Sequence, residues 1–312
     1  MIEQLAPVLA AEDARDFQPA LFGKALVAPD SVVRRMAAMG AGRIGDLRAT
    51  ALVLPLLGDP DSTVRVAAAF ALGLLRDSAA VPPLLDRLAG QPALDGPTAM
   101  EAVTALAKIG GPRVGEFFRA VLSGSAVLTP ADRAPIVNLV LLESWRLDGN
   151  APVDAILPFV DDTSASPRWR AAYSLGRLRA PAAGERLTVL LRDREGIVRS
   201  LAARALTRQY ADTAGLAPRT VAELLTRAAI DANAQVKINA LRSLAGFRDS
   251  TLSVELTPLL EDPLPNVQVQ AAATLGELGG AEAVRSLTRA LGGKGSFALR
   301  REALVALARA SV

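Results

Sequence analysis

Cysteine and histidine are both absent from the 312 residues, and only 4% are aromatic. Without cysteine there are no disulfides, thiol nucleophiles or zinc–thiolate sites, and nothing indicates the redox compartment. Without histidine there is no Ser-His-Asp or Cys-His triad, no imidazole metal ligand and no imidazole pH switch. Long apolar runs are also missing. The longest, Val66 to Leu75, has ten residues, about half of what a membrane-spanning helix needs. Lysine is scarce, with 4 against 31 arginines. The first residues, Met1-Ile2-Glu3-Gln4-Leu5, lack the basic region, apolar stretch and cleavage site of a secretory signal. Localisation is therefore cytoplasmic only by default, and export of a processed chain stays open.

Charge is unevenly placed. Residues 1–150 hold 14 Lys/Arg and 16 Asp/Glu, whereas residues 151–312 hold 21 and 16. Between Arg168 and Arg208, ten arginines face only Glu185, Asp193 and Glu195.

The chain repeats itself. Asp59-Pro60-Asp61-Ser62-Thr63-Val64-Arg65 runs into Val66-Ala67-Ala68-Ala69-Phe70-Ala71-Leu72-Gly73, and similar phrases start at Asp30, Arg168 and Val267. The residues equivalent to Leu72 are Ala41, Leu106, Leu141, Leu175, Leu206, Leu244, Leu275 and Leu307, spaced by 31 to 38 residues. These are nine repeats. In each second helix, Val64, Ala68, Ala71, Leu72 and Leu75 share one face at helical spacing, with Val66, Ala69, Phe70 and Gly73 opposite. First helices are carried by runs such as Thr50–Leu57 and Leu256–Leu260. Prolines inside several of these runs predict kinked or shortened helices. Asp-Pro-Asp-Ser supplies an N-cap oxygen for the second helix. The pattern predicts an all-α fold, a right-handed α-solenoid of about nine helical pairs spanning 1–312, with a helical lead-in at 1–15. The longest irregular segments, Ala89–Pro97 and Ser123–Pro130, are expected to widen the spacing between repeats.

An acid precedes a base by six residues at Asp59/Arg65, Asp162/Arg168, Asp193/Arg199 and Asp231/Lys237. With the acid in the inter-helix turn and the base in the next helix's first turn, stacked repeats can share a ladder of charge-assisted hydrogen bonds. A catalytic carboxylate has no reason to recur in every repeat, so the pattern is structural.

The period, the six-residue Asp-to-Arg spacing and the Val-Arg-x-x-Ala-Ala-x-Ala-Leu-Gly phrase resemble HEAT repeats of the bacterial phycobilin-lyase-like type, from about Phe17 to Val312. The resemblance implies a protein-binding scaffold. The stretch Ala11–Phe17, with Pro-Asp-Ser-x-Val-Arg-Arg and Gly-Arg-Ile-Gly-Asp, is also similar to HEAT arrays preceding bacterial cyclophilin-type prolyl isomerase domains. No isomerase barrel is present here, so this likeness implies at most an accessory, substrate-recruiting region. The last helix lacks the polar face of a capping repeat. That is the pattern of a chain that continues past Val312 or docks at this end. A bilin-lyase-like role lacks the cysteine or histidine for covalent attachment or axial contact.

Other motifs are local. Gly40-Ala41-Gly42-Arg43-Ile44-Gly45 matches a dinucleotide fingerprint in letters, but it aligns with a helix end rather than a strand-to-helix turn, and is read as close packing. The acid pairs Glu12/Asp13, Asp59/Asp61, Asp161/Asp162 and Glu261/Asp262 fall in turns or helix starts, where acids cap helices and favour the dipole. Asp59-Pro60-Asp61-Ser62 has too few oxygen ligands for a calcium loop. No catalytic residue, metal site or cofactor is expected.

The candidate binding surface lies on the second helices. One aligned column reads Met39, Phe70, Thr104, Tyr173, Arg204, Arg242, Ala273 and Val305. Its companion reads Arg35, Val66, Met100, Trp169, Ser200, Ile238, Val269 and Arg301. In a HEAT-like stack these columns line the concave face, a groove that is apolar to aromatic and turns basic near Arg204. Phe70, Trp169, Tyr173, Arg204 and Arg242 are the candidate contacts for an acidic-apolar protein or peptide segment. Arg43, Lys108, Arg177, Arg208 and Arg309 share one aligned position. With the basic 168–208 region, this stripe keeps nucleic-acid binding as an alternative.

Overall fold

The computed structural model describes residues 2–90 and 94–310, so part of the Ala89–Pro97 segment lies outside the described residues. The fold is all-α, and no strand occurs among the described residues. Two compact units divide the chain, Met1–Ala155 and Ile156–Val312.

In the first unit the lead-in helix Ile2–Asp13 is followed by second helices at Ser31–Ile44, Ser62–Leu75, Gly96–Ile109 and Pro130–Glu143, each packed on the next in order. In the second unit they are Ala165–Leu178, Gly196–Ala205, Ala234–Ala245, Pro265–Leu278 and Phe297–Ala310, again packed successively. Within each unit, first helices pack against the second helix of their own repeat.

The periodic core is what holds each unit together. Ala41, Leu72, Leu106, Leu141, Leu175, Leu206, Leu244 and Leu275 are fully buried; Leu307 in the last helix is half-buried. Caps set the helix starts: Asp30 accepts from Val32 N and Asp61 from Thr63 N, both at 2.8 Å. Each satisfies one N–H that the helix itself cannot bond.

Proline shapes the first helices. At Pro55, Pro158 and Pro258 a single α turn passes into a 3₁₀ turn, at Leu54–Gly58, Leu157–Asp161 and Thr257–Glu261. The missing N–H removes the i−4 bond there. Pro82 and Pro83 sit instead at the start of Val81–Ala89, where no bond is lost, and that helix is intact.

The flank opposite the inter-helix core differs from its helical-wheel reading. Val66 and Phe70 are half-exposed, but Ala69 and Gly73 are buried. The next second helix covers them. A Cβ on Gly73 would lie 2.9 Å from Ala105 Cα, one on Gly42 2.6 Å from Ala71 Cα, and one on Gly176 2.6 Å from Ala205 Cβ. The glycine following the landmark residue thus meets the alanine preceding the next landmark, and the small pair lets adjacent backbones approach. Gly40–Gly45 is accordingly a helix end, with Gly45 in the left-handed conformation at φ 82°.

The longest repeat spacing, from Leu206 to Leu244, holds an inserted helix, Arg208–Thr213. It is anchored by Tyr210, which is buried and donates its hydroxyl to the Ala180 carbonyl at 2.7 Å. Burial pushes this phenol up to about 12. No described helix is long and apolar enough to cross a membrane.

Candidate functional site

The charge ladder is wired between repeats, not within them. Arg65 donates to the main-chain carbonyls of Asp59 and Pro60 at 2.7 and 3.1 Å, and to the Asp95 carboxylate of the following repeat at 2.6 and 2.9 Å. The Asp59 carboxylate is held by Arg34 of the preceding repeat at 2.7 and 2.8 Å. Arg168 likewise takes the Asp162 and Thr163 carbonyls behind it and the Asp193 carboxylate ahead. Arg199 takes the Asp193 carbonyl and the Asp231 carboxylate. Lys237, with a single ammonium, joins Asp262 at 2.5 Å. Arg65, Arg168 and Arg199 thus each meet the main-chain carbonyl of the acid six residues before, while their carboxylate partners, like that of Lys237, are the acids of the next repeat. A guanidinium fork has donors for both directions and an ammonium is a point. Ala99 and Ala134 occupy the arginine position in two helices of the first unit, where the ladder is interrupted. The ladder holds the carboxyls of Asp59, Asp193 and Asp231 below the usual carboxylate range. For Asp59 and Asp231 the arginine hydrogen bond is the leading cause. For Asp193, burial pushes the value up and is outweighed by Arg168 and the Glu195 N–H.

The first unit carries a groove across three second helices. Arg35 and Met39 come from Ser31–Ile44, Thr63, Val66 and Phe70 from Ser62–Leu75, and Pro97 and Glu101 from Gly96–Ile109; they enclose about 480 Å³. The floor is mainly apolar and the two ends bear opposite charges. Arg35 Nε and Glu101 Oε1 are both shielded from solvent without a hydrogen-bond partner among the described residues. Lys108 Nζ stands 3.6 Å from Glu101 and 5.1 Å from the Phe70 ring centre, an ion pair and a cation–π contact. Burial pushes the Glu101 carboxyl up; Lys108 opposes this and Glu143 adds to it. Phe70 and its column neighbour Met39 therefore line a real depression. Arg35 belongs to the companion column read from the period, whereas Glu101, beside that column's Met100, was not singled out, because periodicity ranks faces and not depth.

In the second unit the candidate residues are less closely assembled. Trp169 and Tyr173 lie one turn apart on Ala165–Leu178 and are half-exposed. Arg170 covers the Trp169 ring at 4.1 Å, and Arg177 stands 5.7 Å from the Tyr173 ring. Arg242 is exposed and bonds Gln270 at 3.0 Å. Arg204 lines a separate cleft with Arg177, Arg179, Arg208 and Asp212, which Trp169, Tyr173 and Arg242 do not enter. The companion column is broken at Ser200, which is buried beneath the Asn239 amide rather than facing a groove.

The basic stripe is largely engaged. Arg43 pairs with Glu12, Arg208 with Asp212 and Arg309 with Glu277, at 2.8 to 3.3 Å. Within 168–208, Arg168, Arg186 and Arg199 also pair with carboxylates.

Residues 19–95 and 221–308, more than half of the chain, match the family model described as HEAT repeats. The chain belongs to the HEAT-repeat family. A further HEAT segment, 167–193, matches the PBS lyase HEAT-like repeat and contains the Arg168–Asp193 rung. No curated protein matches this HEAT chain in sequence. Similar solved structures include an engineered protein, 19% identical at TM-score 0.53, covering 98% of this chain and 91% of that one. A second is the karyopherin Kap121p bound to the extreme C-terminus of the protein phosphatase Cdc14p, 14% identical at TM-score 0.53, covering 99% and 40%. A substituted Kap121p is 12% identical at TM-score 0.56, covering 98% and 41%. The HEAT chain spans about two fifths of the karyopherin. At these identities the likeness is one of fold.

Proposed function

We propose that this HEAT protein is a non-catalytic interaction module that captures an acidic-apolar protein segment on its second-helix face. The observation that carries the reading is the apolar depression of Met39, Val66, Phe70 and Pro97, left uncovered beside a shielded, unpartnered arginine nitrogen. An apolar floor with few polar groups at fixed places suits partner recognition. Trp169, Tyr173, Arg204 and Arg242 are assigned as further contacts, the rings for apolar burial and the exposed arginines for orientation. Engagement of the ladder arginines by carboxylates favours a protein partner over nucleic acid, because those cations are not available to phosphates. The recruiting array of a cyclophilin-type isomerase would be one such module.

The test is affinity capture from the source cells, comparing wild type with Phe70→Ala and with Trp169→Ala and Tyr173→Ala. A partner bound by wild type and lost about tenfold or more in Phe70→Ala supports the reading. Equal capture by all the variants places binding elsewhere.

A further inference from the structure

The proposed docking groove is electrically polar along one direction. Its floor is apolar, yet Arg35 stands at the Ser31–Ile44 end and Glu101 at the Gly96–Ile109 end, with Val66 and Phe70 between them. Both charged ends carry an unmet hydrogen-bonding atom, Arg35 Nε and Glu101 Oε1. Glu12 Oε2 and Arg87 Nε of this unit are also shielded and unmet, but neither lines this groove. Arg34, the chain neighbour of Arg35, bonds through all three guanidinium nitrogens to Asp59 and to the Ala28 and Pro29 carbonyls. Glu101 has Lys108 nearby, but at 3.6 Å the contact is an ion pair too long for a hydrogen bond. A shielded donor without an acceptor and a shielded acceptor without a donor are costly to leave so, and each is relieved by a group of the opposite kind.

We infer that the groove takes an extended polypeptide segment in one orientation, with an acidic side chain on Arg35, apolar side chains over Val66 and Phe70, and a basic side chain on Glu101. This deepens the proposed function and rests on it. Charge complementarity selects the occupant: an acidic-apolar-basic order satisfies both ends, while the reverse order sets like charges against each other at both. A segment acidic throughout satisfies Arg35 but brings no donor to Glu101 Oε1, which has only the Lys108 ion pair. The apolar floor supplies the burial that holds the segment, and the ends set its direction.

The test uses a phage-displayed library of random dodecapeptides, panned on the 312-residue chain and counter-selected on Val66→Glu. Val66 is half-exposed, so this variant should fold, which thermal unfolding checks. The enriched peptides are then synthesised and their affinities measured by fluorescence anisotropy on wild type, Arg35→Gln and Glu101→Gln. The expected result is a consensus with an acid and a base on opposite sides of an apolar pair, always in one order. Arg35→Gln then loses roughly 30-fold toward peptides bearing the acid, and Glu101→Gln a similar factor toward those bearing the base. Peptides that depend on Val66 but show no charge order, or affinities unchanged in both glutamine variants, overturn the polarity while leaving the docking groove standing. No enrichment over Val66→Glu overturns both.

Discussion

Arg168 and Asp193 belong to successive repeats and are joined by two hydrogen bonds of 2.8 and 2.9 Å, with both side chains buried. The same guanidinium ties down the Asp162 and Thr163 carbonyls of its own turn. One side chain thus fixes a turn and the step to the next repeat together. Arg168→Gln is expected to lower stability by about 3 kcal/mol, because it strips both arginine bonds from a shielded carboxylate that keeps only the Glu195 N–H and removes the side-chain donor of the Asp162 carbonyl. Urea unfolding of the full chain measures it.

Acid should weaken the ladder. Asp59, Asp193 and Asp231 are held below the ordinary value of about 3.9 by their arginines and turn N–H groups. A carboxylate whose pKa is lower folded than unfolded contributes stability that is complete above the unfolded value. That contribution is lost as pH falls through the folded value. The melting temperature is therefore expected to drop below about pH 4, and Arg168→Gln should show a smaller acid-side drop than wild type. Parallel pH profiles for the two proteins would remove the ladder as the cause.

Much of this was legible in the sequence. The nine Leu72-type positions, the Asp caps and the proline-broken first helices follow from spacing and residue chemistry alone. The wiring of the ladder did not follow, since a six-residue interval places two side chains at one turn without saying which carboxylate the guanidinium meets. One groove end, Glu101, was missed for a related reason, while Arg35 stood in the companion column. Glu101 is marked by how neighbouring helices shield its Oε1 at the groove, and that depth has no period. The acids that pair with the basic stripe were not legible because they come from varied distances: Glu12 is a whole repeat from Arg43, whereas Asp212 is one turn from Arg208.

Close approach of second helices makes a sharp substitution test. A Cβ on Gly176 would meet Ala205 Cβ at 2.6 Å, while its nearest backbone atom, Ala205 Cα, is at 3.5 Å. Gly176→Ala is expected to destabilise by about 1–3 kcal/mol. Adding Ala205→Gly should recover part of that loss, because it removes the clashing atom. Gly23→Ala, where nothing lies within 4 Å of the new Cβ, should instead be neutral or mildly stabilising. Denaturant midpoints for wild type, these three variants and Ala205→Gly alone decide the matter, and additive losses in the double variant would contradict the packing account.

Tyr210 anchors the inserted helix through one hydroxyl. Tyr210→Phe keeps the buried ring and removes only the bond to the Ala180 carbonyl, so a loss of about 1 kcal/mol is expected. Faster hydrogen exchange confined to Arg208–Thr213 would accompany it.

The central claim is that a protein partner sits on the second-helix face of the first unit. Site-specific photocrosslinking tests it most directly, with p-benzoylphenylalanine replacing Val66 in the groove and, as control, Val254, an exposed residue on a first helix of the second unit. The expected result in the source cells is a discrete protein adduct from position 66 that is absent from position 254 and abolished by Phe70→Ala. Adducts of equal yield from both positions, or none from position 66 while the protein is folded and abundant, would contradict it.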